Sequence, residues 1–186
     1  PNDRAAPLQR PPAARIVAIG ASTGGLEPLE LFFQKLPARS GAAYLVVQHL
    51  DPTQKALLVA LLQRVTSLPV TEAEDGMAIV ADHVYVIPPN AEMRVSDDRL
   101  QVSAPREPRG LRLPVDVLFS SLARERRESA VAVVLSGMGV DGTQGLQSIK
   151  SLGGLCAVQT PATAQFDSMP ATAIAAGYAD ILAPPA

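Results

Sequence analysis

The 186-residue sequence has no tryptophan, one cysteine and two histidines, and each scarcity excludes something. A lone cysteine, Cys156, can form no internal disulfide and fits a reducing compartment. Its apolar neighbours, Leu155 and Ala157, mark a buried strand position rather than a reactive thiol. Two separated histidines and one cysteine give no metal-ligand spacing, so no metal and no other cofactor is expected. The only aromatics are four Phe and three Tyr, which argues against a large aromatic-lined pocket. A formal charge of -2 gives no electrostatic reason to bind nucleic acid. No apolar run reaches the roughly 18 residues of a membrane span. The polar, proline-bearing N-terminus does not read as a signal peptide. A cytoplasmic chain without direct membrane insertion is therefore expected.

What is present is a globular composition, 47% hydrophobic and 18% charged, of a length that suits one domain with a sizeable core. Residues 1–14, with four prolines and no periodicity, read as a linker or tail, and 15–186 as the folded domain. That tail and the ending "ILAPPA" suggest a domain cut from a longer polypeptide. From Arg15 onward, buried strands alternate with helices. The strands are "RIVAIG", "AAYLVVQ", "HVYVIPP", "SAVAVVLSG" and "LCAVQ". The helices are expected over Leu26–Leu36, from Asp51-Pro52 through "TQKALLVALLQRV", and over "VDVLFSSLARERR", "DGTQGLQSIKSL" and "MPATAIAAG". The alternating "EMRVSDDRLQVS" reads as a hairpin turning at Asp97-Asp98. The expectation is a doubly wound α/β fold: a mostly parallel sheet with helices on both faces, three-layer αβα and Rossmann-like, plus the small β-hairpin.

The stretch "GASTGG" at 20–25 lies between the first strand and the first helix. It fits neither the dinucleotide fingerprint nor the lysine-bearing phosphate loop. Gly20-Ala21-Ser22-Thr23-Gly24 does fit G-x-S-x-G, the sharp turn that lifts a nucleophilic serine above a sheet. The alternative is that Ser22 or Thr23 caps the helix. A nucleophilic serine needs a base, and the base needs an orienting group. His83 opens a strand, far from Ser22 in a parallel sheet, and reads as structural. His49 closes a strand at its C-terminal end, on the rim where ligands bind in doubly wound sheets. Asp141 follows a buried strand and a glycine-rich turn, which puts it on the same rim. Alone it would read as the N-cap of the helix "GTQGLQSIK". Three strand ends delivering Ser22, His49 and Asp141 to one edge define a candidate triad. Its Ser, His, Asp order differs from the α/β-hydrolase order.

At these residues the chain resembles the catalytic domain of the chemotaxis receptor methylesterases, the CheB family. The likeness is carried by "GASTGG", "QHL" at 48–50, "EAEDG" at 72–76, "VYVIPP" at 84–89, "VDVLF" at 115–119, "SGMGVDG" at 136–142 and "FDSMP" at 166–170. The resemblance implies a serine hydrolase acting on glutamate methyl esters of receptor signalling helices, with glutamine deamidation as a second activity in many members. It maps the nucleophile onto Ser22, the histidine onto His49, the aspartate onto Asp141 and the family's "MG" onto Met138-Gly139. Backbone N–H groups of Thr23 and Met138 are the expected oxyanion donors. Expected partners are the cytoplasmic helices of methyl-accepting chemotaxis receptors, with receiver, methyltransferase or sensor domains fused or associated. Two-domain members carry a receiver before this domain, where this chain has only the proline-rich tail. "QHLDP", "GLRLPVD" and "GGLCAVQ" look closer to versions fused to a methyltransferase. Arg106, Arg109 and Arg112, just before "VDVLF", can meet acidic receptor helices or form a solvated loop. The rival readings are a non-catalytic anion-binding α/β module and a general small-molecule esterase.

Overall fold

The structure is a computed structural model, and it describes residues 11–49 and 52–186. Residues 1–10 of the expected 1–14 tail, and the expected cap at Asp51, lie outside the described residues. Among the described residues the chain runs β1 (Arg15–Ala21), α1 (Leu26–Lys35), β2 (Ala42–Gln48), α2 (Pro52–Val65), β3 (Val70–Glu72) and β4 (His83–Val86). The hairpin β5 (Glu92–Ser96) and β6 (Arg99–Ser103) follows. Then come α3 (Pro114–Arg126), β7 (Ala130–Val134), α4 (Thr143–Ser151), β8 (Leu155–Gln159), α5 (Ser168–Ala175) and β9 (Ile181–Ala183).

Seven strands form one sheet in the order β3-β4-β2-β1-β7-β8-β9. Every pairing in it is parallel. The central runs are apolar on both faces because both faces are covered: all seven residues of β2 are buried. On one side Ile19, Val46 and Val84 pack with Leu29 and Phe33 of α1 and Leu58 and Leu62 of α2. On the other, Ile16, Leu45 and Val134 pack with Leu118 and Phe119 of α3, Leu146 of α4 and Met169 of α5. The winding reverses between β1 and β7, so the crevice above their C-terminal ends is the switch point of the sheet.

The hairpin stands apart as its own two-stranded sheet, not as an edge of the main one. Asp97 and Asp98 both adopt left-handed φ, 51° and 57°, which is the turn a two-residue hairpin requires. It is pinned to α3 by Val95 N–H donating to Ser121 Oγ at 3.1 Å. The first helix ends one residue earlier than its pattern suggests. Leu36 is already extended, with ψ 139°, as a residue before proline tends to be. Two strands escaped the sequence reading, β3 and β9. Each has three residues and exists only by pairing with a longer neighbour. Cys156 is fully buried in β8, and burial, helped by the nearby Asp180 charge, pushes its thiol up to about 12.

Helices α3 and α4 are joined by a reciprocal exchange of carboxylates. Asp141, just before α4, accepts from Val115 N–H at 3.0 Å and from Asp116 N–H at 2.9 Å, at the start of α3. Asp116, inside that first turn, accepts from Gly145 N–H of α4 at 2.6 Å. Each helix N-terminus, with its free donors and positive dipole end, thus meets the other's acid. The expected capping of α4 by Asp141 gives way to this arrangement. The α4 cap is Gly142, and the Asp141 side chain serves α3 instead. Gly145 lets the helices touch, since a Cβ there would stand 2.5 Å from Phe119 Cβ.

Desolvation raises the Asp116 carboxyl from 3.8 to about 6, with the Gly145 N–H opposing and the Asp141 charge adding to the rise. Folding therefore penalises the ionised form, and stability falls as pH climbs from about 4 through about 6. Asp116→Asn keeps an oxygen for Gly145 and cannot ionise. Relative to the parent, its unfolding free energy in urea should improve by about 2–3 kcal/mol between pH 4 and pH 7. Parallel pH curves would contradict this. Gly145→Ala should cost about 1–3 kcal/mol by overpacking, read as a lower urea midpoint.

Candidate active site

The site is built where β1, β2 and β7 end. The sheet pairing of these strands extends past the last ladder residues through two backbone bonds. His49 N–H donates to Ala21 O at 3.1 Å, and Ser22 N–H donates to Ser136 O at 3.0 Å. Ser22 then opens a tight turn closed by Gly25 N–H donating to Ser22 O at 2.9 Å. The cap of α1 is Gly25, with no side-chain cap, so neither Ser22 nor Thr23 serves in that role. Ser22 is buried, and its hydroxyl makes no hydrogen bond among the described residues.

His49 lies beside this turn, about one third exposed, with Nε2 3.1 Å from Asp141 Oδ2. That is ion-pair distance, yet the ring nitrogen stands out of line for a hydrogen bond and makes none. Nε2 thus stands beside the Asp141 carboxylate at contact distance, with no hydrogen bond joining the two. Asp141 is 4% exposed and held by the two α3 N–H groups, so its place is fixed independently of His49. The structure therefore brings Ser22, His49 and Asp141 to one rim. His83 lies elsewhere, at the start of β4, within 2.9 Å of Thr71 Oγ1 and stacked on Tyr85.

The turn after β7 faces the Ser22 turn at backbone contact. A Cβ on Gly137 would stand 2.8 Å from Ser22 Cβ and 3.1 Å from Ser22 N, so only glycine permits the approach. Gly139 N–H is taken up by Ser168 Oγ at 3.0 Å. The N–H groups of Thr23 and Met138 donate to nothing among the described residues. Met138 itself is 57% exposed. Of the three residues expected at the oxyanion position, Thr23 and Met138 thus retain a free donor and Gly139 does not.

Two hollows flank His49. One, of about 680 Å³, runs between α1 and α2 and is walled by Leu26, Leu58 and Leu61, with Glu27 and Glu30 on its lip. Gln48 lines this hollow, and its buried Oε1 has no hydrogen-bond partner among the described residues. The other, of about 420 Å³, is bordered by Asn90, Arg109 and Arg112. Arg112 is braced there by donating to Asn90 Oδ1 at 2.6 Å and to the Glu107 carbonyl at 2.8 Å. Sequence reasoning overlooked Gln48, Asp116, Ser136 and Gln159. Ser136 lies inside the motif "SGMGVDG", but nothing in the pattern distinguishes its hydroxyl from that of any serine ending a strand. No cluster of three or more His, Cys, Asp or Glu suited to a metal occurs among the described residues.

The fold and rim define a class: a doubly wound α/β domain with a serine-bearing turn at its switch point and a His–Asp pair beside it. The CheB methylesterase family model matches residues 17–186, and the chain belongs to that family. The crystal structure of the Thermotoga maritima CheB methylesterase catalytic domain superposes with a TM-score of 0.85 at 31% identity, covering 92% of this chain and 93% of that one. A Pseudomonas aeruginosa protein-glutamate methylesterase/protein-glutamine glutaminase 2 is 36% identical, with 99% of this chain matching 53% of that protein. An uncharacterized 104.1 kDa protein of Rhodobacter capsulatus is 44% identical over 66% of this chain and 13% of its own length. The chain thus spans about half, or less, of these full-length relatives.

Asp141→Asn offers one acceptor oxygen where the carboxylate offers two, leaving one α3 N–H unpaired. A loss of about 1–3 kcal/mol in urea unfolding is expected, with an unchanged far-ultraviolet circular dichroism spectrum before the transition. An unaltered midpoint would mean that these two bonds add no net stability.

Proposed function

We propose that this domain is a protein-glutamate methylesterase. It removes methyl groups from glutamate esters on the cytoplasmic helices of methyl-accepting chemotaxis receptors. The observation that carries this reading is the His49–Asp141 pair, 3.1 Å apart, beside the Ser22 turn. His49 takes the proton of Ser22 Oγ as that oxygen attacks the ester carbonyl carbon. Asp141 orients the imidazole and stabilises its cation. The negative oxygen of the tetrahedral intermediate is met by the N–H groups of Thr23 and Met138. The intermediate collapses, and His49 returns the proton to the departing methoxide, which leaves as methanol. Water, deprotonated by His49, then cleaves the acyl-enzyme and regenerates Ser22 and the free glutamate.

An amide carbonyl fits the same machinery with ammonia as leaving group, so glutamine deamidation is included in the proposal. Several relatives are named for both activities, as protein-glutamate methylesterase/protein-glutamine glutaminase. The two hollows beside His49 are open, which suits a side chain presented on a helical surface. Arg109 and Arg112 on one side supply positive charge toward an acidic receptor stretch. The working unit is taken as residues 15–186 within a longer polypeptide. A receiver, methyltransferase or sensor domain in that polypeptide would set when the esterase acts.

Ser22→Ala should lower methanol release from a methylated receptor fragment on the order of 10⁴-fold or more, and His49→Ala comparably. Release from Ser22→Ala at the parent rate would remove the nucleophile. Binding of the fragment without any release by the parent domain would favour the anion-binding module. Fast turnover of nitrophenyl esters with indifference to the receptor would favour a general esterase.

A further inference from the structure

Ser136 is fully buried, and its polar groups are tied to β8, to the Ser22 turn and to the segment before α5. Its N–H donates to Gln159 Oε1 at 2.8 Å, at the end of β8. Its carbonyl accepts from Ser22 N–H at 3.0 Å. Its hydroxyl lies 3.2 Å from the carbonyls of both Thr23 and Phe166, and accepts from Phe166 N–H at 3.0 Å. A hydroxyl has one proton, so the two carbonyls share it as a bifurcated bond. Gln159 is held in turn by donating to Thr163 O at 3.0 Å and to Thr163 Oγ1 at 3.2 Å.

Three loops therefore converge on one side chain: the Ser22 turn, the turn after β7, and the segment before α5. The first two carry the unengaged N–H groups of Thr23 and Met138. Ser136 touches the Thr23 carbonyl on one side and lies two residues before Met138 on the other. Gly137, between them, is already in contact with Ser22.

We propose that Ser136 is a positioning residue whose hydroxyl fixes the distance between the Thr23 and Met138 N–H groups, so that both point at one oxyanion. It touches no substrate atom. It rests on the proposed function above, because an oxyanion requires that Ser22 attack a carbonyl. An oxyanion donor contributes to the transition state far more than to the ground state. A hydroxyl that only sets donor spacing should therefore act on kcat and leave KM nearly untouched.

The test uses the whole domain with a methylated receptor fragment, and a fluorophosphonate probe that labels activated serines. Parent protein that is labelled, with Ser22→Ala unlabelled, holds the underlying reading in place. Parent protein left unlabelled defeats that reading, whatever Ser136 does. Given labelling, Ser136→Ala should lower kcat about tenfold or more. Its KM should stay within about twofold, and the pH midpoint of kcat should not move, since His49 and Asp141 are undisturbed. Unchanged kcat below the melting temperature of the variant overturns the proposal. So does a loss confined to KM, or a shifted pH midpoint. Should Ser136→Ala not fold, Ser136→Cys replaces it under the same criteria, because a thiol keeps the shape and weakens the hydrogen bond.

Discussion

The site depends on parallel pairing that continues beyond the sheet. β1 is the only strand flanked by both β2 and β7, and its last residues bond to each of them. The Ala21 carbonyl holds His49, and the Ser22 N–H holds Ser136. A register slip of one residue on either side would turn every side chain of that strand to the opposite layer. The apolar runs on both faces forbid such slips, because each strand fills two packed cores at once. The placement of three polar side chains is thus enforced by valines and isoleucines some distance below them.

The acid is fixed from another direction. Asp141 would be costly to bury alone, but two N–H groups at the head of α3 satisfy its oxygens. Burial of Asp116 nearby is a destabilising feature at neutral pH, offset in part by the Gly145 N–H. The two helices therefore present their N-termini toward a single acidic pair, of which Asp141 stands 3.1 Å from the imidazole.

Much of this was legible in the sequence because it followed continuous patterns. The apolar β-branched runs of β1, β2 and β7 announce buried parallel strands, and the residues just after them announce the rim. The placement of Ser22, His49 and Asp141 on that rim follows from that logic without any coordinates. Asp97-Asp98 between alternating segments announces a tight turn. What stayed hidden was held by partners distant in the chain. The link from Asp141 to α3 spans about 25 residues, and that from Ser136 to Gln159 spans 23. Local composition carries no trace of such bonds. The three-residue strands β3 and β9 were hidden for a related reason, since their extended form is supplied by a neighbour rather than by their own sequence.

Those two short strands also decide how the sheet stops. β3 follows Pro69, and β9 is followed by Pro184 and Pro185. An open sheet edge is an invitation to any passing extended chain, which can add itself as one more strand. Three residues with proline at one end give a visitor few backbone groups to grip, and proline contributes no N–H. Ile181 and Leu182 are 43% and 54% exposed at the β9 edge, so the backbone that such a visitor could pair with there is only three residues long.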